Sequence, residues 1–266
     1  MVQKNWTRET VRGRLSGKVA VVTGGAGGMG RAASILFAAA GAKVAILDIQ
    51  QDAGENTVSE IKAAGNEAIF ISTDVTNTEA VKAALAITVE TFSTITNLFN
   101  HAGTIIVKPL HETTDEEYRR LMDINATSAF IVCRETLKYF IKYGGGNIII
   151  TSSIGGEKGF GLESVYCMSK GAVLQLARTI AVEYRDYNIR ANAVCPAFVK
   201  TDHGLREIKE LDGLGQNWNE ADLHAVQGRI CEPDEVASAA LFLASEESSF
   251  VNGVALYVDN GWYSKG

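Results

Sequence analysis

The sequence predicts an α/β protein with one seven-stranded parallel sheet and helices packed on both of its faces. Short runs rich in valine and isoleucine alternate with longer alanine-rich segments whose apolar residues recur at helical spacing. Uninterrupted apolar runs are typical of strands buried on both faces, as in a parallel sheet. Because strand and helix alternate so regularly, we expect a doubly wound sheet whose right-handed crossovers place helices on both sides.

The strands are predicted from their β-branched and apolar composition, which suits a pleated and buried surface. The seven candidates are KVAVVT (18–23), KVAILD (43–48), EAIFIS (67–72), TNLFN (96–100), NIIIT (147–151), IRANAVC (189–195) and VALYVD (254–259). Their lengths are those of ordinary strands in globular proteins.

The helices are predicted between these strands, where the apolar residues follow a helical period. The six candidates are residues 29–40, 51–64, 77–93, 115–142, 164–186 and 232–244. Gly41 and Gly65 follow the first two candidates at positions where a C-terminal cap is expected.

One segment, residues 200–230, breaks this alternation because it is charged and interrupted by glycines. A connection of that length is usually functional, so we predict a lid over a binding site, with short helices of its own. The resulting domain prediction is an N-terminal arm at residues 1–14. A single dinucleotide-binding and catalytic domain follows at residues 15–266 and includes the lid.

Composition excludes several classes of protein. The net charge of −6 argues against nucleic acid as the main partner. No run of about 18 apolar residues predicts a membrane span, and the polar N-terminus lacks the apolar core of a secretory signal. The four cysteines form no C-x-x-C pair, so we expect reduced thiols, a cytoplasmic protein and no metal site.

A glycine-rich turn, TGGAGGMG (23–30), joins the first strand to the first helix. Gly24, Gly28 and Gly30 leave the backbone bare, so that a pyrophosphate can approach it, and Met29 lies at the start of the helix. The free N–H groups and positive dipole end of a helix N-terminus favour an anion. This strand–turn–helix context predicts nucleotide binding, although a glycine-rich turn alone also occurs without it.

The second strand ends in an acid, Asp48, which indicates the cofactor. A carboxylate in this place accepts hydrogen bonds from both hydroxyls of an adenosine ribose and repels a 2′-phosphate. Ile49 follows the acid, and no basic residue lies in the turn before Gly28. The sequence therefore predicts NAD rather than NADP, the alternative being a solvated aspartate at a strand end.

Asp74 and Val75 follow the third strand and are candidates for the adenine site. The acid would face the adenine amino group and the valine its ring face. An ordinary helix-start or turn role for Asp74 stays open.

Tyr166 and Lys170, in the stretch YCMSK, are four residues apart on a predicted helix, so their side chains are neighbours. Ser153 lies just past the fifth strand, at the edge of an α/β sheet where ligands bind. Oxidising a secondary alcohol requires a hydride acceptor and a base for the hydroxyl proton. Tyr166 is the candidate base, and Ser153 would hydrogen-bond the substrate oxygen.

The lysine is predicted to make the phenol basic enough, because a free tyrosine has a pKa near 10. Lowering that pKa by about 2–3 units requires about 3–4 kcal/mol. One ammonium about 4 Å away supplies about 4 kcal/mol at an effective dielectric of about 20. By itself, a Y-x-x-x-K spacing also occurs by chance in unrelated proteins.

Taken together, the motifs resemble the short-chain dehydrogenase/reductase family from about residue 15 to the C-terminus. They are TGGAGGMG (23–30), Asp48, NHAG (100–103), Asn125, TSS (151–153) and YCMSK (166–170). Each motif is unspecific alone, but their order and spacing are specific. The resemblance implies a Rossmann fold, a homotetramer and a nicotinamide cofactor.

The resemblance also implies roles for individual residues. The catalytic tetrad would be Asn125, Ser153, Tyr166 and Lys170, with a water at Asn125 passing protons from Lys170 to solvent. Further cofactor contacts would be Asn100, Ala102, Gly103, Pro196, Val199 and Thr201, together with Tyr166 and Lys170. Asn100 would also support the central strand, and the stretch at 196–201 would hold the nicotinamide carboxamide.

Three positions depart from the motifs of that family. His101 replaces an asparagine, and we expect it to play a structural role. Ala197 replaces a glycine and tolerates only a negative φ comfortably, so this turn is expected to be slightly altered. Asn260 stands in VDNGW where a glycine is usual, and asparagine can adopt the left-handed conformation.

The sequence leaves the substrate open between cyclic, aryl and polyol alcohols. Candidate apolar walls of the pocket are Phe160, Leu162, Phe198 and Trp218, and candidate polar contacts are Glu157, Lys158 and His203. The leading hypothesis is an NAD-dependent enzyme that interconverts a small or medium secondary alcohol and its ketone. The alternatives are an NADP-dependent 3-oxoacyl-thioester reductase and a non-catalytic dinucleotide-binding regulator.

Overall fold

The computed structural model describes residues 7–216 and 218–265, and its centre is the predicted seven-stranded parallel sheet. The strands are β1 (Val19–Thr23), β2 (Lys43–Asp48), β3 (Ala68–Ser72), β4 (Asn97–Asn100), β5 (Gly146–Thr151), β6 (Ile189–Pro196) and β7 (Ala255–Val258). Every observed strand lies within one residue of its prediction at each end, because a buried apolar run has few alternative placements in a sheet.

The strands run in the order β3-β2-β1-β4-β5-β6-β7, with all pairs parallel. This order extends the Rossmann fold by a seventh strand, and the direction of winding reverses between β1 and β4. Thr23 at the end of β1 pairs with Leu47 on one side and with Asn100 on the other. The segments that follow these strands therefore leave the sheet side by side, at the edge where ligands bind in such folds.

The described chain contains ten α-helices between and after the strands. They are α1 (Arg8–Val11), α2 (Gly28–Ala39), α3 (Gln51–Ala63), α4 (Thr78–Phe92), α5 (Asp115–Met122), α6 (Ser128–Tyr143), α7 (Ser164–Glu183), α8 (Asp202–Gly213), α9 (Glu220–Gln227) and α10 (Pro233–Ala244). Those predicted at 29–40, 51–64, 77–93 and 232–244 agree with the structure to within one residue.

Two apolar layers cover the sheet, as the predicted winding requires. Side chains of α2 and α10 pack on one face, against alternate strand residues such as Val22, Phe99 and Ile149. Side chains of α4, α6 and α7 pack on the other face, against neighbours such as Leu98 and Ile148. Consecutive residues of one strand thus point into different layers, because strand side chains alternate.

The helix predicted at residues 115–142 is not one regular α-helix. A π-helical turn at Asp123–Thr127 separates α5 from α6. Such a turn inserts one extra residue without breaking the hydrophobic stripe, so helical periodicity alone does not reveal it. Asn125 lies inside this turn and is buried.

The segment at 200–230 contains the short helices predicted for it, α8 and α9. Thr201 caps the first through a hydrogen bond from Gly204 N–H, and Asn219 caps the second with Asp222 in a capping box. At the other end of the chain, α1 is docked on the domain through the buried side chains of Val11 and Leu15. Within the described residues, no helix is both long and apolar enough to cross a membrane.

Candidate active site

A cleft of about 1200 Å³ opens along the carboxyl edge of the sheet. It begins at the glycine turn around Gly24 and at Asp48, passes Ala102, and ends between Tyr166 and the lid residue Thr201. The cleft therefore lies over the point where the winding of the sheet reverses, as expected for a ligand site in an open α/β fold.

The glycine turn favours glycine at all three of the predicted positions. A Cβ on Gly30 would lie 2.0 Å from the carbonyl oxygen of Gly24, and Gly24 itself has a φ of +65°. Gly28 has a φ of +50° and lies against Thr201. Gly24 and Gly28 face the cleft, whereas Gly30 packs behind the turn and is not in the cleft wall.

The N-terminus of α2 is open toward the cleft. Its N-cap residue, Gly27, provides no side-chain hydrogen bond, and the first turn contains no acid. Gly27, Gly28 and Met29 all lie in the cleft wall. The free N–H groups and positive end of the helix thus suit an anionic group such as a pyrophosphate.

Asp48 is buried beside this turn, and two backbone groups fix its carboxylate. Ala26 N–H donates to Oδ2 at 3.1 Å, and Gln50 N–H donates to Oδ1 at 3.0 Å. Asp48 lines the cleft together with Ile49, whose side chain is 70% exposed. The carboxylate is therefore held in the cleft wall rather than solvated at a free strand end.

Asp74 and Val75 also lie in the cleft wall. One carboxylate oxygen of Asp74 accepts hydrogen bonds from the N–H and the hydroxyl of Thr76. Asp74 therefore has the turn role that the sequence left open, and its second oxygen stays available for a ligand. Val75 is buried against the apolar layer below.

The segment after β4 follows the predicted arrangement closely. The Asn100 amide donates to the Ala129 carbonyl at 3.1 Å and accepts from the Thr23 hydroxyl, so Asn100 supports the central strands. Asn100 is not among the residues of the cleft wall, and its contact with the cofactor stays a prediction. Ala102 and Gly103 do line the cleft.

His101 lies in the cleft wall, where its ring makes structural contacts. Its ring stacks on Phe99 with centroids 5.3 Å apart, and its Nδ1 lies 3.0 Å from the Thr151 hydroxyl. Burial, with smaller contributions from Lys170 and His203, lowers the pKa of His101 to about 3. The ring is therefore neutral near pH 7.

Tyr166 and Lys170 project from α7 into the far end of the cleft. The Lys170 ammonium lies 5.6 Å from the centroid of the Tyr166 ring and donates to the Thr151 carbonyl at 3.0 Å. Burial lowers the pKa of Lys170 to about 8. The pair is thus adjacent, as the i, i+4 spacing predicts.

The electrostatic expectation for Tyr166 in the protein alone was wrong. Its pKa lies well above the ordinary value, first because the phenol is buried and then because Glu207 and Glu163 carry negative charge nearby. A hydrogen bond to the Ser153 hydroxyl acts in the opposite direction. The spacing of Tyr166 and Lys170 in the sequence indicates the favourable charge of the lysine. It indicates neither the position of the two carboxyls nor the burial of the phenol, both of which raise the pKa.

Asn125 is fixed beside the pair by three hydrogen bonds. Its oxygen accepts from Thr104 N–H at 2.7 Å, and its Nδ2 donates to the Thr104 carbonyl and to the Ser169 hydroxyl. A Cβ on Gly103 would lie 3.2 Å from Asn125 Oδ1 and 3.5 Å from Lys170 Nζ. The structure thus brings Asn125 and Lys170 together on one side of Gly103.

Ser153 follows β5 and is buried behind Tyr166. Its hydroxyl accepts from Gly155 N–H at 3.0 Å and donates to the Pro196 carbonyl at 3.5 Å. The four residues of the predicted tetrad are therefore gathered at one end of the cleft, although Asn125 and Ser153 lie behind its surface.

The end of β6 and the stretch after it form part of the cleft wall. Pro196, Ala197, Val199 and Thr201 all line the cleft. Ala197 does not have a positive φ, so the replacement of glycine introduces no backbone strain here. Asn260 adopts the predicted left-handed conformation, with a φ of +50°, and donates to the Gln227 carbonyl beside the lid.

The predicted apolar substrate walls do not line the cleft. Phe198 and Trp218 pack on each other and on Trp262, with ring centroids 5.1 to 5.6 Å apart, and Phe160 packs on Trp262 as well. We call these four rings the aromatic cluster. Leu162 also lies outside the cleft wall, so these side chains hold the lid rather than form the pocket surface.

Of the predicted polar contacts, only His203 lies in the cleft wall. Glu157 instead accepts from Arg178, Tyr257 and Tyr263, and Lys158 lies over the Tyr263 ring. Burial, then Lys170 and Arg206, lowers the pKa of His203 to about 4.

Several further residues of the site were not predicted from the sequence. Glu207 lies one helical turn after His203 on α8 and lines the cleft, while Glu163 precedes Tyr166 by three residues. The i, i+4 spacing on α8 was a usable signal for Glu207. Residues Glu116, Arg119, Arg120 and Asp123 of the α5 region also reach the cleft.

A doubly wound sheet with this glycine turn and this tyrosine–lysine pair defines an oxidoreductase of the nicotinamide-dependent class. Residues 24–263 match the family model described as enoyl-(acyl carrier protein) reductase. A 2,5-dichloro-2,5-cyclohexadiene-1,4-diol dehydrogenase of Sphingobium indicum is 38% identical over 250 residues, which cover 93% of this chain and 98% of that protein.

Two further proteins are similar to this chain over nearly its whole length. A cyclopentanol dehydrogenase of Comamonas sp. is 35% identical over 94% of this chain and 98% of its own length. The crystal structure of levodione reductase superimposes with a TM-score of 0.91 at 30% identity, covering 95% of this chain and all of that chain. The protein belongs to the short-chain dehydrogenase/reductase family and is a dehydrogenase that uses a nicotinamide dinucleotide.

Proposed function

We propose that the protein uses NAD to interconvert a small or medium secondary alcohol and its ketone, with Tyr166 as the acid/base. The observation that carries this proposal is the position of Tyr166, which lies in the same cleft as the glycine turn, at its opposite end. A dinucleotide held at the turn would extend toward the phenol. The cleft volume of about 1200 Å³ leaves room for a substrate as well.

The residues present fit NAD at the turn end of the cleft. Gly24 and Gly28 would lie against the pyrophosphate, the open N-terminus of α2 would face it, and the fixed carboxylate of Asp48 would accept from the adenosine ribose. Ile49 offers no cation to a 2′-phosphate. We infer NAD rather than NADP, which disfavours the alternative of an NADP-dependent 3-oxoacyl-thioester reductase.

Around the dinucleotide, the remaining cleft residues have proposed roles. Asp74 and Val75 would border the adenine, and Pro196, Val199 and Thr201 would border the nicotinamide carboxamide. Met29, Ala102 and Gly103 line the path between them. When bound, the oxidised cofactor supplies the hydride acceptor and a positive charge near the phenol.

Tyr166 would take the hydroxyl proton during oxidation and return it during reduction. In the protein alone its raised pKa keeps the phenol protonated at neutral pH, which suits proton donation to a ketone. Oxidation requires added positive charge near the ring, and the Lys170 ammonium is the cation that the chain provides. Ser153 would hydrogen-bond the substrate oxygen in line with Tyr166.

Protons would reach solvent by way of Lys170 and Asn125. The pKa of Lys170, at about 8, allows it to exchange a proton near neutral pH. Asn125 holds the neighbouring turn in place through Thr104 and Ser169. The presence of all four tetrad residues argues against a non-catalytic dinucleotide-binding regulator.

For the substrate, we propose a cyclic secondary alcohol before an aryl alcohol or a polyol. The supporting observation is that two of the similar proteins are named for a cyclopentanol and a cyclohexadiene-diol. We also propose a homotetramer in the cytoplasm. Apolar side chains exposed on α6 and α7, such as Phe130 and Met168, support the tetramer. Four unpaired cysteines support the cytoplasmic location.

The proposal is tested by measuring NAD-dependent turnover across cyclic, aryl, polyol and steroid alcohols. Once a substrate is found, the Tyr166→Phe variant should lose at least about 100-fold in kcat, the usual contribution of a positioned acid/base. NAD binding should persist in the variant, as measured by fluorescence titration. Substantial residual turnover would remove Tyr166 from its role as acid/base.

A further inference from the structure

Two carboxyl groups meet beside the proposed acid/base. Glu163 lies immediately before α7, three residues ahead of Tyr166, and its side chain is 5% exposed. Glu207 lies on the lid helix α8 and lines the cleft. The two carboxyls lie within hydrogen-bonding reach of each other. A hydrogen bond between two carboxyls requires a proton on one of them, because a carboxylate can only accept.

No cation of the described chain neutralises this pair. Arg206 on the same helix pairs with Glu210 at 3.7 Å, and Lys108, next to the loop at 162, pairs with Glu117. Lys170 donates to the Thr151 carbonyl. The titratable groups whose charge acts on the two carboxyls, or is acted on by them, are Tyr166, Cys167, Lys170 and Glu210. His203 and Arg206 are the other titratable residues within one turn before Glu207 on α8. Two ionised carboxylates in contact would therefore repel each other, and the charge of Lys170 offsets this repulsion only in small part.

We propose that Glu163 and Glu207 share one proton and act as a positioning pair, which joins the lid helix to α7 and limits the negative charge beside Tyr166. We call them the acid pair. The inference rests on the proposed function, because it concerns the ionisation of the phenol that the reaction uses. It adds two residues, Glu163 and Glu207, to those that set the pH range of the reaction, and both act through Tyr166.

The direction of the effect follows from the charges. Burial raises the pKa of Glu163 to about 7, and burial together with Glu163 raises that of Glu207 well above its ordinary range. Each negative charge on the pair opposes ionisation of Tyr166 and so raises its pKa. While the shared proton stays bound, the pair carries a single charge. Loss of that proton would add a second charge beside the phenol and weaken the lid contact.

The first experiment measures proton sharing directly and does not depend on activity. The full-length protein is labelled with ¹³C at the glutamate carboxyls and titrated by NMR. Two resonances should titrate above pH 6, and both should be absent in the Glu163→Gln/Glu207→Gln variant. In each single variant the replaced glutamate loses its resonance, and the remaining carboxyl should titrate at a lower pH than in the wild type because the like charge beside it is gone. If no glutamate carboxyl of the wild type titrates above about pH 5, the upper end of the ordinary range, the inference is wrong.

The second experiment measures the pH profile of kcat/KM for alcohol oxidation. Removing both carboxyls should move the rising limb of the profile to lower pH by about one unit, since a like charge within about 4–6 Å shifts a pKa by about 1–3 units. Asp212→Asn, which removes an exposed carboxyl from the same helix, is the matched control and should leave the midpoint unchanged.

The outcomes of these two experiments are distinguishable. An unchanged midpoint in the active double variant would overturn the effect of the pair on Tyr166. If no alcohol is turned over by the wild type, the proposed function fails, but the NMR titration still decides whether the proton is shared. A double variant that does not fold leaves the wild-type titration and the single variants to decide the same question.

Discussion

At the scale of single residues, the proposed preference for NAD rests on Asp48 and the residue after it. The carboxylate is fixed by the N–H groups of Ala26 and Gln50, so it cannot rotate away from a phosphorylated ribose without losing both hydrogen bonds. Truncating Asp48 would also disturb the glycine turn, because Ala26 belongs to it. Ile49 is the better position for a test, since its side chain is exposed and free of such contacts.

The wild type should bind NAD more tightly than NADP, and Ile49→Arg should reduce that preference. A guanidinium next to the site can pair with a 2′-phosphate, and a gain of about tenfold in NADP affinity corresponds to about 1.4 kcal/mol. Fluorescence titration with both cofactors measures the ratio. Ile87→Arg, at an exposed position on α4, is the control for added charge. A clear preference of the wild type for NADP would contradict the interpretation of Asp48.

At the scale of secondary-structure elements, the aromatic cluster packs the lid against the rest of the domain. Trp262, near the C-terminus, contacts Phe160, Phe198 and Trp218 with centroid separations of 5.5 to 5.6 Å. One side chain therefore connects the lid to the loop after β5 and the turn after β6. Aromatic pairs of this kind contribute about 0.5–1.5 kcal/mol each beyond their buried area.

Trp262→Ala should loosen the lid and raise KM for the alcohol by about tenfold, the equivalent of about 1.4 kcal/mol. The tetrad residues lie in the π-turn, just after β5 and on α7, and none of them belongs to the aromatic cluster, so kcat should change less. Steady-state kinetics separate the two constants, and the emission of Trp218 reports the loss of packing. Phe250→Ala, at a fully exposed aromatic residue, is the matched control. An unchanged KM would show that the aromatic cluster does not control substrate binding.

The elements also show what sequence patterns can predict. Strand ends were predictable within one residue because a run such as NIIIT can be buried on both faces only within the sheet. The π-turn at Asp123–Thr127 was not, since one inserted residue preserves the apolar stripe on either side. The acid pair joins residues 44 positions apart in sequence, from Glu163 to Glu207, and nothing local indicates their contact.

At the scale of the whole molecule, individual carboxyls make the stability depend on pH in opposite directions. A hydrogen bond from Arg229 lowers the pKa of Glu235 to about 2, which ties the end of the lid to the start of α10. The ionised Glu235 stabilises the folded protein above pH 4.5, and this contribution is lost as the pH falls toward 2. The acid pair behaves in the opposite way, because its protonated form is favoured in the folded state.

Removing the acid pair should therefore change how stability varies between pH 5 and 8. Burial raises the pKa of Glu163 from 4.5 to about 7, so the folded protein retains a proton that the unfolded chain releases. The stabilisation is complete below about pH 4.5 and is lost as the pH rises through about 7, a difference on the order of 3 kcal/mol. Urea unfolding measures the free energy of unfolding of the wild type, of Glu163→Gln/Glu207→Gln and of Asp212→Asn at each pH. The double variant should gain on the wild type as the pH rises and Asp212→Asn should not, whereas parallel curves for all three proteins would contradict proton sharing in the folded state.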